Sequence, residues 1–208
     1  MKNKLLSIIA VALLLCIPKI NFGQITLGSA ASKFAIFSSL GAVKDVATTA
    51  PSHVTGDVGA ASGAVTGFGN VNGVMHPTSD ASTYACDTAL TNTIGKITAS
   101  TNNYFPSTTM GSGVTLDSGV YSISGGTTLG GTLNLDAQGN PNAQFIIKIA
   151  GTFGASANAK VVLKNGALAC NVFWYITGAV SIGSPVTMRG NIISNAAISF
   201  TVFPSSKC

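Results

Sequence analysis

Residues that could carry acid, base or metal chemistry are few and widely spaced in this chain. The two histidines and six acids, none of them glutamate, are His53, His76, Asp45, Asp57, Asp80, Asp87, Asp117 and Asp136. Glycosidic hydrolysis needs two carboxylates brought together, and nucleophilic catalysis needs a nucleophile beside a base. No G-x-S-x-G elbow, phosphate-binding loop or C-x-x-C pair occurs. We therefore expect a protein that is not an enzyme and that uses no metal or cofactor.

The N-terminus has the pattern of a secretory signal. Lys2 and Lys4 precede an apolar run at 5–17, and small or polar residues follow at 21–24. The run is short for a transmembrane helix, which makes a retained anchor the weaker alternative. We predict a signal peptide at 1–23, a secreted, extracellular product and one domain at 24–208, with no membrane association after cleavage.

The charge pattern argues against a nucleic-acid partner. Loss of Lys2, Lys4 and Lys19 with the leader leaves eight basic residues against six acids, a net charge of +2. No basic run remains, so nucleic acid is an unsuitable ligand. Only 8% of all residues are charged while 46% are hydrophobic, which is typical of a packed domain rather than of a disordered chain.

Most of the chain reads as short strands separated by glycine and asparagine. Candidate strands lie at 113–123, 132–137, 143–149, 160–163, 171–176 and 190–194. Several are apolar at consecutive positions, which is typical of strands buried in a coil. The pattern favours a β-solenoid, and a β-sandwich is the alternative.

One segment has helical rather than strand periodicity. Over about 77–100, apolar or small residues at spacings of three and four form one face: Thr83, Cys86, Leu90, Ile94 and Ile97. Ser79 or Asp80 is the candidate N-cap. Because threonine and asparagine are poor helix formers, we expect this helix to depend on packing against the strands.

Three cysteines follow the leader, namely Cys86, Cys170 and Cys208. In an oxidising compartment a Cys86–Cys170 disulfide would join the helix to the strand body, and two buried free thiols are the alternative. Cys208 is left without a partner in either case.

Hydroxyl and amide side chains cluster in two segments, 151–160 and 179–190. If these segments stack as successive coils, six polar residues form one surface: Thr152, Ser156, Asn158, Ser181, Ser184 and Thr187. Small, stiff side chains on strands about 4.7–4.9 Å apart would hold water in a regular array. Ordinary solvent-facing strand positions would look the same in the sequence.

Two long stretches of the sequence are specific in pattern, LNLDAQGNPNAQFIIKIAGTF (133–153) and VVLKNGALACNVFWYITGAVSIG (161–183). Through stretches such as these the sequence resembles the secreted microbial ice-binding proteins, from about residue 27 to residue 199. The resemblance implies a right-handed, discontinuous parallel β-solenoid of triangular section, with one long α-helix packed alongside. It also implies adsorption to ice through a flat face, which inhibits ice growth or recrystallisation.

The resemblance has further implications for individual residues. It places the ice contact on the six polar residues above, and it favours the Cys86–Cys170 disulfide. Family members continue through further coils after the NIIS strand (191–194), so we expect this chain to be C-terminally truncated. We expect a monomer whose partner is the ice surface. The alternative function is a secreted structural or adhesive module that binds a surface polymer or protein.

Overall fold

A computed structural model describes residues 23–45, 53–183 and 185–200 of the chain. The predicted signal peptide, apart from Gly23, lies outside the described residues. So do Ser184 and the segment 201–208, which includes Cys208 and the predicted C-terminal boundary.

The N-terminal part of the described chain forms three small parallel sheets. Its strands are β1 (Phe34–Ser38), β2 (Val43–Lys44), β3 (His53–Thr55), β4 (Asp57–Ala60), β5 (Val65–Thr66) and β6 (Asn70–Asn72). They pair as β1–β4, β2–β5 and β3–β6. Val54, Val58, Ala60 and Val65 form a separate buried cluster between them. Within the described ranges, no strand of this group pairs with the later strands.

The chain from residue 109 to residue 200 winds through three larger parallel sheets. We call the first the uncharged face; it contains β7 (Thr109–Gly111), β10 (Thr127–Gly130), β13 (Phe153–Ala155), β16 (Val180–Ile182) and β18 (Ile198–Phe200). The charged face contains β8 (Thr115–Asp117), β11 (Thr132–Asp136) and β14 (Lys160–Lys164). The helix-covered face contains β9 (Gly119–Ile123), β12 (Phe145–Ile149), β15 (Val172–Ile176) and β17 (Asn191–Ser194). The predicted mainly β solenoid of triangular section is confirmed.

Strands of the helix-covered face are apolar at consecutive positions because both of their sides are buried. In β12, Phe145 and Ile147 belong to the core inside the solenoid, whereas Ile146 packs against the helix. In β15, Trp174 lies in the inner core and Phe173 faces the helix cluster. This two-sided burial is the physical origin of the uninterrupted apolar runs in the sequence.

Two α-helices are present in the described chain, and the long one begins later than predicted. The short helix α1 spans Gly28–Ala31, and α2 spans Ala81–Ala99 instead of 77–100. His76 is still held by the strand ladder, where its N–H donates to the Val58 carbonyl at 2.9 Å. Asp80 is the N-cap, and its carboxylate accepts from the Thr83 N–H at 2.9 Å. The Thr83 hydroxyl accepts from the Asp80 N–H at 2.8 Å, which completes a capping box.

Helix α2 packs against the helix-covered face through the apolar side that the sequence predicts. Leu90, Ile94 and Ile97 pack against a cluster that includes Val120, Ile146 and Phe173. At the C-terminal end, the Lys148 ammonium donates to the Ser100 carbonyl at 2.7 Å. A cation at this end of a helix is favourable, although burial lowers the pKa of Lys148.

The segment before α1 ties the helix to the sheet. The Ile25 N–H donates to Gln144 Oε1 at 3.0 Å, and Gln144 Nε2 donates to the Ile25 carbonyl at 2.6 Å. On the helix side, the Thr93 hydroxyl donates to the Thr26 carbonyl at 2.9 Å. Since Ile25 is itself buried, this segment is a structural part of the interface between helix and sheet.

The predicted Cys86–Cys170 disulfide is not formed, and both residues are free thiols. Cys86 is buried on α2, whereas Cys170 is exposed in the 3-10 turn Ala169–Asn171 that precedes β15. The sequence pattern predicts the helical position of Cys86 correctly, but Cys170 lies in a turn before the strand, and the pattern carries no information on the different depths of the two residues. Burial, with a smaller contribution from Asp87, raises the pKa of Cys86 to about 12.

We expect the two thiols to differ sharply in reactivity. Iodoacetamide at about pH 8 should alkylate Cys170 in the folded protein, because the thiolate is the reacting form and this side chain is accessible. Cys86 should react only after unfolding, because it is both buried and protonated at that pH. Peptide mass mapping of native and denatured samples measures the difference. A Cys86–Cys170 linked peptide in unreduced protein would contradict the prediction.

Loss of the buried Ile97 side chain should destabilise the packing of helix on sheet. Because Ile97 is fully buried, Ile97→Ala should lower the free energy of unfolding by about 2–5 kcal/mol. The matched control is Gly95→Ala, since a Cβ at Gly95 meets no atom within 4 Å. That change should raise stability by up to about 1 kcal/mol. Urea unfolding measures both, and equal effects would contradict the assigned packing.

Candidate functional site

The described ionisable residues with close partners have structural roles. His76 Nδ1 lies 2.5 Å from Asp80 Oδ2, and this hydrogen bond is the main reason why the pKa of Asp80 is lowered. The Gln138 N–H and then the Asn165 side chain lower the pKa of Asp136, in a turn after β11. In the described ranges, no group of three or more His, Cys, Asp or Glu residues is placed to hold a metal ion. None of the described helices is long and apolar enough to span a membrane.

The outer sides of the three main sheets differ in what they present to solvent. The helix-covered face is occupied by α2. The charged face carries Lys160, Lys164, Asp117 and Asp136 along its strands. The five strands of the uncharged face contain no Asp, Glu, Lys, Arg or His residue. Among the three main sheets of the described chain, only the uncharged face is neither covered by a helix nor lined by charged strand residues.

A straight row of small side chains crosses the uncharged face. Parallel pairing brings five residues into register, and we call them the hydroxyl row: Thr109, Thr128, Gly154, Ser181 and Ser199. Neighbours in such a row are about 4.7–4.9 Å apart. The four hydroxyl-bearing members are exposed, and Gly154, at the middle position of the row, has no hydroxyl.

A second row lies beside the first, one position before the paired strands. It contains Gly126, Thr152, Ala179 and Ala197. Backbone hydrogen bonds between neighbouring strands connect these positions; for example, the Phe153 N–H donates to the Ala179 carbonyl at 2.9 Å. Gly126, Gly154 and Thr152 are among the residues that line a shallow depression on this face. The outer surface is therefore low in relief and built from methyl, hydroxyl and backbone groups.

The uncharged face is held rigidly from behind. Leu129, Phe153, Val180 and Ile182 alternate with the outward residues and are all buried in the solenoid core. No hydrogen bond found among the described residues uses the side-chain hydroxyls of Thr128, Thr152 or Ser181. These hydroxyls are therefore free to bind water from fixed positions.

Comparison with known proteins agrees with this architecture. A family model described as ice-binding-like matches residues 40–203. The chain belongs to the ice-binding-like family. An ice-binding protein from Flavobacterium frigoris (strain PS1) is 31% identical over an alignment of 194 residues, and the match covers 84% of this chain and 66% of that protein. One from Nostoc sp. (strain HG1) is 38% identical over 96 residues, 46% of this chain and 35% of that protein.

Solved structures of ice-binding proteins have the same fold. A crystal structure from an Antarctic biological consortium matches with a TM-score of 0.80 and 30% identity, and covers 88% of this chain and 82% of that one. A structure from an Antarctic Flavobacteriaceae bacterium matches with a TM-score of 0.77 and 37% identity over 88% of this chain. This ice-binding-like chain spans 47% of that second protein's length, and about a third of the Nostoc relative.

The structure separates the six polar residues that the sequence groups together. Thr152, Ser156 and Ser181 lie on the uncharged face, with the Ser156 N–H bonded to the Leu129 carbonyl at 2.9 Å. Asn158 lies in the turn that leads to the charged face, in left-handed conformation with φ of 64°. Thr187 forms an isolated parallel β-bridge, a backbone pairing, with Lys160 of the charged face. Ser184 lies outside the described residues.

Sequence reasoning omitted three members of the hydroxyl row, Thr109, Thr128 and Ser199. A local signal for two of them exists in the sequence. Thr128 precedes the buried Leu129, and Ser199 stands between Ile198 and Phe200, as Ser181 does between Val180 and Ile182. In this ice-binding-like fold, a hydroxyl next to apolar residues in a short strand is placed on the outside by the pleat.

Proposed function

We propose that this protein binds ice through the uncharged face and thereby inhibits ice growth or recrystallisation. The observation that carries the proposal is an uncovered five-stranded sheet whose strands contain no charged residue and expose a row of Thr, Ser and Gly. Membership of the ice-binding-like family and likeness to proteins named for ice binding support it.

The proposed mechanism follows from the spacing and stiffness of the exposed groups. Water bound to neighbouring hydroxyls, about 4.7–4.9 Å apart along a row, is ordered at little entropic cost because the strands are rigid and threonine is stiff at χ1. Ordered water of this kind can join the ice lattice. Adsorbed protein then curves the ice front between neighbouring molecules and resists further growth.

The other two main faces are poorer candidates for physical reasons. Helix α2 occupies one of them. The charged face carries four charged side chains, which bind water strongly in their own hydration geometry: Lys160, Lys164, Asp117 and Asp136. Contact of this face with ice would require their desolvation. A surface of hydroxyls and methyls avoids that cost.

The contact set that we propose keeps three of the residues predicted from sequence and adds three. It consists of Thr109, Thr128, Thr152, Ser156, Ser181 and Ser199, which all lie on the uncharged face. Asn158 borders this face, and Thr187 lies on another one. We further propose that the protein acts outside the cell as a monomer and without catalytic activity, cofactor, nucleic acid or membrane.

A bulky ring in the hydroxyl row should weaken ice binding. Thr128→Tyr places a large side chain at an exposed position between Thr109 and Gly154, where it prevents close approach of a flat crystal plane. We expect thermal hysteresis to fall by about fivefold or more, as for the centre of a contact surface. Nanolitre osmometry on the folded variant measures the effect.

The matched control is Thr115→Tyr, an exposed threonine on the charged face. It should leave thermal hysteresis unchanged, and both variants should unfold within about 0.5 kcal/mol of the parent. Thr187→Tyr tests the grouping predicted from sequence and should also be neutral. Loss of activity in Thr115→Tyr or Thr187→Tyr alone would move the site to the charged face. A folded parent protein with no effect on ice would favour an adhesive module.

A further inference from the structure

Two glycines interrupt the uncharged face, and their surroundings differ. Gly154 stands in the hydroxyl row between Thr128 and Ser181. Gly126 stands in the second row, next to Thr152. Both glycines line the shallow depression on this face, and neither has the left-handed backbone that favours glycine.

Nothing in the packing requires glycine at position 154. A Cβ placed there meets no other heavy atom within 4 Å. The residue is paired on both sides within a regular parallel ladder, which suits β-branched side chains. The missing side chain therefore leaves a vacancy in the row without serving a close approach or a turn.

Position 126 behaves differently although it lies on the same surface. A Cβ there would be 3.0 Å from the Thr152 Oγ1 atom. A side chain at this position therefore requires the Thr152 hydroxyl to shift by a few tenths of an ångström. Glycine at position 126 keeps that hydroxyl in the second row.

We propose that Gly154 is the residue that limits the strength of ice binding by this protein. The inference rests on the proposed function of the uncharged face. The vacancy doubles the separation of successive hydroxyls, from about 4.7–4.9 Å to twice that value between Thr128 and Ser181. Water above Gly154 then has no side-chain partner in the row. A threonine at this position restores an unbroken row of five hydroxyls in register, with a side chain that is stiff at χ1.

The two glycines give opposite expectations for the same substitution. Gly154→Thr should raise thermal hysteresis by about twofold or more at equal concentration, as expected for one added hydrogen-bonding group. Gly126→Thr should lower it, because the new side chain shifts the Thr152 hydroxyl from its position in the second row. Gly95→Thr, on the exposed side of α2, adds the same side chain away from this face and should have no effect.

A fourth variant separates the hydroxyl from the stiffness of the new side chain. Gly154→Val has the shape of threonine without its hydroxyl, and it should give a smaller gain than Gly154→Thr. Circular dichroism and thermal unfolding confirm that each variant is folded. Thermal hysteresis is then measured on the parent protein and on the full set of variants.

Each result bears on the inference. A rise in Gly154→Thr together with a fall in Gly126→Thr supports it. An active parent with no rise in Gly154→Thr overturns the inference and leaves the proposed function intact. An equal rise in Gly154→Val or in Gly95→Thr also overturns it, because the gain would not come from the restored hydroxyl. If neither the parent nor Gly154→Thr affects ice, both the inference and the proposed function fail.

Discussion

In-register parallel pairing of successive turns is the constraint on which the rest of this structure depends. Because each strand must align with the one before it, equivalent positions of successive turns stack into straight rows. Leu129, Ala155 and Ile182 form one such row inside the solenoid. The same register places Thr128, Gly154 and Ser181 in a row outside. The core and the proposed ice contact are thus two sides of one backbone arrangement, and a rigid core gives a rigid surface.

The composition of the outward rows gives the three main faces their different properties. Where outward residues are large and apolar, as with Ile146 and Phe173, they need a cover, and α2 supplies it. Where the outward residues include charged side chains, as with Lys160 and Lys164, they are exposed to solvent. On the uncharged face they are small, and this sheet presents hydroxyl and backbone groups to solvent.

The sequence carries enough information to predict whether each element is a strand or a helix. It carries too little to predict which residues of successive turns share a row. Consecutive apolar residues at 145–149 and 172–176 predict buried strands, and the spacing from Thr83 to Ile97 predicts the helix side. The rows depend on turn lengths, which vary from coil to coil. Successive members of the hydroxyl row are 19, 26, 27 and 18 residues apart. No constant period marks them, so the sequence pattern groups Thr187 with Ser156 and does not identify Thr128.

The attachment of α2 decides which surface remains open. The sequence suggested a disulfide for this purpose, but the structure uses burial of Ile97 and a set of hydrogen bonds. Gln144 binds the Ile25 backbone on the sheet side, and Thr93 binds the Thr26 carbonyl on the helix side. These contacts hold the helix against one face through a segment that precedes both the helix and the sheet in sequence. Because the helix is fixed on one main face and the charged strand residues lie on a second, no described element covers the hydroxyl row through which we propose that the protein contacts ice.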